Sequence, residues 1–324
     1  MTDRSTRLDP AAGTGSTPTA DAVRAARDSR VIWLLLAASF VVILNETIMG
    51  VAIPHLQSDL DITVQAAQWL TTAFMLTMAV VIPITGFLLQ RFHTRPVFIA
   101  AMSLFSAGTL IAAVAPGYEV LLGARVVQAT GTAIMMPLLM TTLMTLVAPK
   151  DRGRIMGRVS TVISVAPAIG PTISGLILSY LSWRWMFWIV LPIAVTMLLI
   201  GIRRVENVTE PRVVPIDVFS VVLSAFGFGG IVFGLSQIGG AAESGGEAGG
   251  NATTMWISLA VGAVGLAAFI LRQVRLQRSD RALLDLRTFR SRNFSISIGL
   301  MAIMMLTLFG TIILLPIYMQ SVIG

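Results

Sequence analysis

Long apolar runs recur along this chain at near-regular intervals, and nothing else in the sequence constrains its fold as strongly. A helix needs roughly 20 apolar residues to cross a bilayer. Runs of that length fall at about 31–54, 69–90, 96–115, 119–146, 155–180, 184–202, 216–238, 254–273 and 294–320. Within lipid every backbone N–H and C=O must be satisfied within the protein itself, which leaves helices or closed barrels. Runs this long and unbroken predict an all-α, polytopic membrane protein. Composition agrees: 55% of residues are hydrophobic and 12% charged, against ~45–50% and ~25% in soluble domains.

The segments between the runs divide into two classes. One carries Arg24, Arg27 and Arg30; Arg91 and Arg95; Lys150, Arg152, Arg154 and Arg158; Arg203, Arg204 and Arg212; and a last group from Arg272 to Arg292. The alternate class carries only Arg184. The positive-inside rule then predicts a cytoplasmic N-terminus and a cell-membrane location. The high isoelectric point, about 11.1, is thus a topology signal, and no nucleic-acid partner is expected. Residues 1–30 read as a disordered cytoplasmic tail, 239–253 as a Gly-rich outer loop, and 274–293 as a basic amphipathic segment on the cytoplasmic surface. Trp183, Trp185 and Trp188 read as an aromatic belt at the outer interface.

Several functions are excluded by what is missing. The chain has no cysteine and two histidines, His55 and His93, so no disulfide framework, thiolate chemistry or His-rich metal site is expected. There is no Gly-x-Ser-x-Gly elbow, metal-ligand cluster or Walker loop. Neither an enzyme nor an ATP-driven pump is indicated, and any uphill transport must draw on an ion gradient.

The polar residues inside the runs carry the mechanism. Glu46, flanked by Asn45 and Thr47, lies deep in the first run. A carboxylate there costs roughly 2.5–3.5 kcal/mol on insertion scales. Either it takes up and releases a proton, or it is a structural contact that never titrates. Arg125 in the fourth run shares a helix face with Gln128 and Thr132, and Gly131 permits close helix approach. It either holds a nearby carboxylate or snorkels to the interface. In the fifth run, Pro167, Gly170, Pro171 and Gly175 interrupt an apolar stretch. Each proline removes a backbone donor, and breaks of this kind mark places that move or bind. Gly170 and Ser174 also form a small-xxx-small packing pair. Gly86, Gln90, Arg91 and Arg95 close the second run on its basic side.

Together these motifs resemble the major facilitator superfamily, most closely its drug:proton antiporters with fourteen spans. The family's first-span pattern, Leu-Asp-x-Thr-Ile-Val-Asn-Val-Ala-Leu-Pro, stands here as Leu44 to Pro54, with Asn45 at the usual acid and Glu46 beside it. One residue turns a side chain about 100° around a helix. The Asn45-Glu46-Thr47 form is similar to the branch associated with lincomycin-type resistance. Gly86 to Arg95 resembles the family's loop motif, with Gln90 replacing the acid that helps latch the cytoplasmic side. Arg125, Gln128 and Gly131 match the fourth-span motif linked with proton transfer, and Pro167 to Gly175 the fifth-span motif diagnostic of efflux.

The resemblance covers about 31–324 and implies a six-helix bundle over 31–202. Two linker helices over 203–273 and the first helix of an incomplete second bundle over 294–324 would follow. It implies proton-coupled export of drug-like small molecules, with the proton gradient in place of any cofactor, and leaves the oligomeric state open. Family members continue past the region of Tyr318-Met319-Gln320, so the chain is expected to be a portion of a complete exporter, or else a truncated non-transporting membrane protein or assembly partner.

Overall fold

A computed structural model describes residues 20–208, 217–243, 251–278 and 285–318. Among them are nine α-helices and no strand. These are α1 (Ala20–Leu60), α2 (Val64–Arg91), α3 (Thr94–Ala113), α4 (Tyr118–Leu146), α5 (Arg152–Tyr180), α6 (Arg184–Arg204), α7 (Val218–Glu243), α8 (Asn251–Gln277) and α9 (Arg292–Tyr318). Eight of them, α1 to α8, are long and apolar enough to cross a membrane. The fold class expected from the apolar runs is the one observed.

Helix ends depart from the sequence reading where propagation costs little. The segment expected to be a tail to residue 30 is helical from Ala20. Its Ala- and Arg-rich stretch extends a helix already nucleated by the span, and such residues propagate well; residues 1–19 lie outside the described residues. Likewise α7 runs on to Glu243 and α8 begins at Asn251, so both ends of the Gly-rich loop expected over 239–253 are helical; residues 244–250 lie outside the described residues. In the amphipathic segment, a 3-10 turn at Leu286–Arg290 is capped by Asp285, whose carboxylate accepts from the Arg287 N–H at 3.0 Å. Leu283 and Leu284 lie outside the described residues.

Helix α1 packs against α5, α4 and α6; α3 against α4 and α6; and α2 against both α4 and α7. Helix α7 pairs with α8. At the foot of that pair, Arg272 donates from Nε and Nη2 to the two oxygens of Asp217, at 2.7 and 2.8 Å. This guanidinium holds the Asp217 carboxyl, one residue ahead of the span, down at about 2.

The buried apolar residues form two cores rather than one. The first is nearer the basic ends of the helices and runs from Val31 to Val42 on α1, Val97 to Phe105 on α3 and Ile134 to Leu143 on α4. The second joins Ile48 to Leu56 on α1, Ala112 and Ala113 on α3, Leu121 and Ala124 on α4, and Met186 and Phe187 on α6. Trp183 belongs to this second core. It is 1% exposed, stands edge-on to Phe187 at 6.2 Å, and lies beneath the Arg184 guanidinium at 4.3 Å. Of the three tryptophans expected in a belt, only Trp185 and Trp188 face outward. Between the two cores lies a polar layer.

Candidate functional site

The layer takes its residues from the turns of α1, α3 and α4 that neither core includes. On α4, Arg125 and Gln128 are one turn apart and fully enclosed, at 1% and 0% exposure. Arg125 Nη1 donates to Gln128 Oε1 at 2.6 Å, and Gln128 Nε2 donates to the Thr109 hydroxyl of α3 at 2.8 Å. Thr109 in turn donates to the Phe105 carbonyl at 2.7 Å. The Arg125 guanidinium also lies over the Phe74 ring of α2, 4.0 Å from its centroid. An arginine planar face on an aromatic ring is a favourable cation–π arrangement, stronger when shielded from water. Among the described residues, Arg125 Nε has no acceptor.

Two glycines set the α3–α4 spacing that lets this chain of hydrogen bonds close. A Cβ on Gly108 would stand 2.5 Å from the Gln128 nitrogen, and one on Gly131 would stand 2.4 Å from the Ala101 carbonyl oxygen. Backbone this close admits no side chain at either position. Arg125 therefore does not snorkel; it is held inward by Gln128 of its own helix and by Phe74 of α2.

On α1, Glu46 is half-buried and Asn45 is 4% exposed. Glu46 and Arg125 make no ion pair within 4.0 Å. Asn45, at the position where the resembling pattern has its acid, is packed inward, and its Nδ2 has no acceptor among the described residues. Thr47 bonds back to the Leu44 carbonyl at 2.9 Å and approaches the Ala166 carbonyl of α5 at 3.5 Å.

Helix α5 meets α1 at this same level. Gly170 is buried against Thr47, and one turn on, Ser174 donates to the Ile48 carbonyl at 3.0 Å. Pro167 and Pro171 are exposed, on the stripe of α5 beside the one that carries Gly170 and Ser174, and α5 continues through both. Gly175 has open space where a side chain would be. Gly170 and Ser174 make the contact with α1.

The residues at the end of α2 lie apart from the layer, at the basic ends of the helices. Arg95 donates from Nη2 to the Ile202 carbonyl at 2.7 Å, and its backbone N–H donates to Asn207 Oδ1 at 3.3 Å, tying α3 to the end of α6. Arg91 approaches the Phe87 ring at 6.0 Å. Gln90 is exposed, and no hydrogen bond to its side chain is found among the described residues; Gly86 has open space around it. No group of His, Cys, Asp or Glu among the described residues could hold a metal ion.

Sequence reasoning found Glu46, Arg125 and Gln128 but missed Thr109, Phe74 and Gly108. A threonine, a phenylalanine and a glycine are ordinary residues in an apolar span. Only the α3–α4 crossing and the approach of α2 reveal them.

The model of the Major Facilitator Superfamily matches residues 35–324. This chain belongs to that superfamily of membrane transporters. It is 44% identical to the uncharacterized MFS-type transporter YcnB of Bacillus subtilis, over 91% of this chain and 60% of that protein. It is 40% identical to the lincomycin resistance protein LmrB of the same organism, over 89% of this chain and 58% of that one. With the multidrug export protein EmrB of Haemophilus influenzae it shares 31% identity over 89% of this chain and 55% of that one. The chain thus spans 55–60% of the length of these superfamily relatives.

Proposed function

We propose that this superfamily member exports drugs or other amphipathic small molecules across the bacterial cell membrane in exchange for protons, with its N-terminus in the cytoplasm. The observation that carries this reading is the polar layer between two apolar cores, with half-buried Glu46 on α1 and fully buried Arg125 on α4. A carboxylate so placed is costly unless it is paired or neutralised. Relatives named for lincomycin resistance and multidrug export support the substrate class.

In this mechanism an outside proton neutralises Glu46 and removes its attraction to Arg125. The α1–α5 contact at Thr47 and Gly170 then shifts against α4, and the binding region changes the side on which it opens. Release of the proton inside restores the Glu46 charge as the next substrate is taken up. Arg125 stays charged throughout and is steadied by Gln128 and Phe74. The cytoplasmic end is held by Arg95 of α3 bonding to the α6 backbone, and residues 31–202, 203–273 and 294–324 serve as transport bundle, linkers and start of a second bundle. No cofactor takes part; the proton gradient supplies the driving force.

The test is efflux of a fluorescent amphipathic cation from cells expressing the full reading frame, with Glu46→Gln at equal membrane abundance. Export abolished by a protonophore and by Glu46→Gln is the expected result. Export that persists in both overturns the proton-coupled reading. No export from the unaltered protein leaves a non-transporting membrane protein.

A further inference from the structure

We infer that Thr109 is a positioning residue for Arg125, acting by fixing which way the Gln128 amide points. The inference rests on the proton-coupled reading of the polar layer. A glutamine side chain in a closed site can present either its oxygen or its NH2 group to a neighbour, and the neighbour's hydrogen-bonding capacity decides between them. Arg125 only donates, so it requires the Gln128 oxygen. That leaves the amide NH2 directed at α3, where it needs an acceptor.

Thr109 supplies one because its own proton is committed elsewhere. Its hydroxyl donates to the Phe105 carbonyl one turn back at 2.7 Å, and its lone pairs receive Gln128 Nε2 at 2.8 Å. The directions are therefore set in sequence, from Arg125 to Gln128 to Thr109 to the α3 backbone, with every proton pointing the same way. Thr109 and Gln128 are each 0% exposed, so water has no ready access to substitute. Ser106, one turn earlier on α3, is a buried hydroxyl without any partner among the described residues. A hydroxyl in this stretch of helix is therefore not by itself enough; the one at Thr109 is placed for the amide by the Gly108 close approach.

Thr109→Val keeps the shape and removes the acceptor. The Gln128 NH2 is then unsatisfied, the amide is free to turn, and Arg125 loses its fixed oxygen. Thr109→Ser keeps both hydrogen bonds.

Drug-driven proton movement in vesicles containing the full-length protein tests this. The expected result is a fall of about five- to tenfold for Thr109→Val at equal membrane abundance, the scale of one buried hydrogen bond. Thr109→Ser restores most of the rate, and Ser106→Ala changes it little. In a Gln128→Leu background, Thr109→Val adds no further loss, because the group it orients is gone. An unaltered rate in Thr109→Val, equal losses in Val and Ser, or a full additional loss in the Gln128→Leu background overturns the inference. Absence of drug-driven proton movement in the unaltered protein instead overturns the proton-coupled reading on which it rests.

Discussion

Gly170 of α5 and Thr47 of α1 touch so closely that a Cβ on Gly170 would lie 2.4 Å from the Thr47 hydroxyl oxygen and 2.9 Å from its Cβ. This contact stands one residue from Glu46 and couples the proline-bearing helix to the carboxylate-bearing one.

Gly170→Ala forces α5 away from α1 at the level of the polar layer. Overpacking of this kind costs about 1–3 kcal/mol. Expected is a lowered melting temperature in detergent and reduced efflux, with part of both recovered when Thr47→Ala removes the nearest atom. A Gly170→Ala protein with unchanged melting and efflux would show that the helices yield there freely.

Arg125→Lys keeps the charge but loses the planar group that lies on Phe74 and reaches Gln128. A lysine has no planar face to stack and a different reach. Efflux at matched abundance should fall by about tenfold or more, the size of a lost charged hydrogen bond in a dry site. Efflux near the unaltered level would mean that charge alone suffices at this position.

The basic end gives a contrast between two neighbours. Arg95→Ala removes a side-chain bond to the α6 backbone, so melting in detergent should fall by about 1–3 °C. The bond is solvent-exposed, which keeps the effect small. Gln90→Ala should leave melting unchanged, because its side chain makes no hydrogen bond among the described residues. The reverse order would place the latch of the cytoplasmic side at Gln90.

The apolar runs made the helices legible before any coordinates, since a membrane leaves a run of such length little alternative. Their ends were less legible. Ala20 to Arg30 is polar enough to read as tail, yet it is composed of residues that extend an existing helix. Polar residues in apolar spans also stand out, which is why Glu46, Arg125 and Gln128 were visible. Their partners were not, because Thr109 and Phe74 acquire meaning only through the close α3–α4 and α2–α4 packing. Trp183 was misplaced for a related reason. Three tryptophans near a helix start look alike in sequence, and only the packing of Phe187 and Arg184 around one of them turns it inward.

The placement of the acid itself is a further test. Asn45 is enclosed by helix packing while Glu46 is only half-buried. Exchanging the two roles, as Asn45→Asp with Glu46→Gln, should not restore proton-coupled export, because the new carboxyl is turned about 100° into the packed interface. Restored export would show that either face of α1 can carry the proton.

The most direct measurement is proton release on drug binding by purified full-length protein in weakly buffered detergent. The unaltered protein should release protons when an amphipathic cation is added, and Glu46→Gln should bind the same cation with no release. Equal release from both would contradict the assignment of Glu46 as the group that exchanges its proton for substrate.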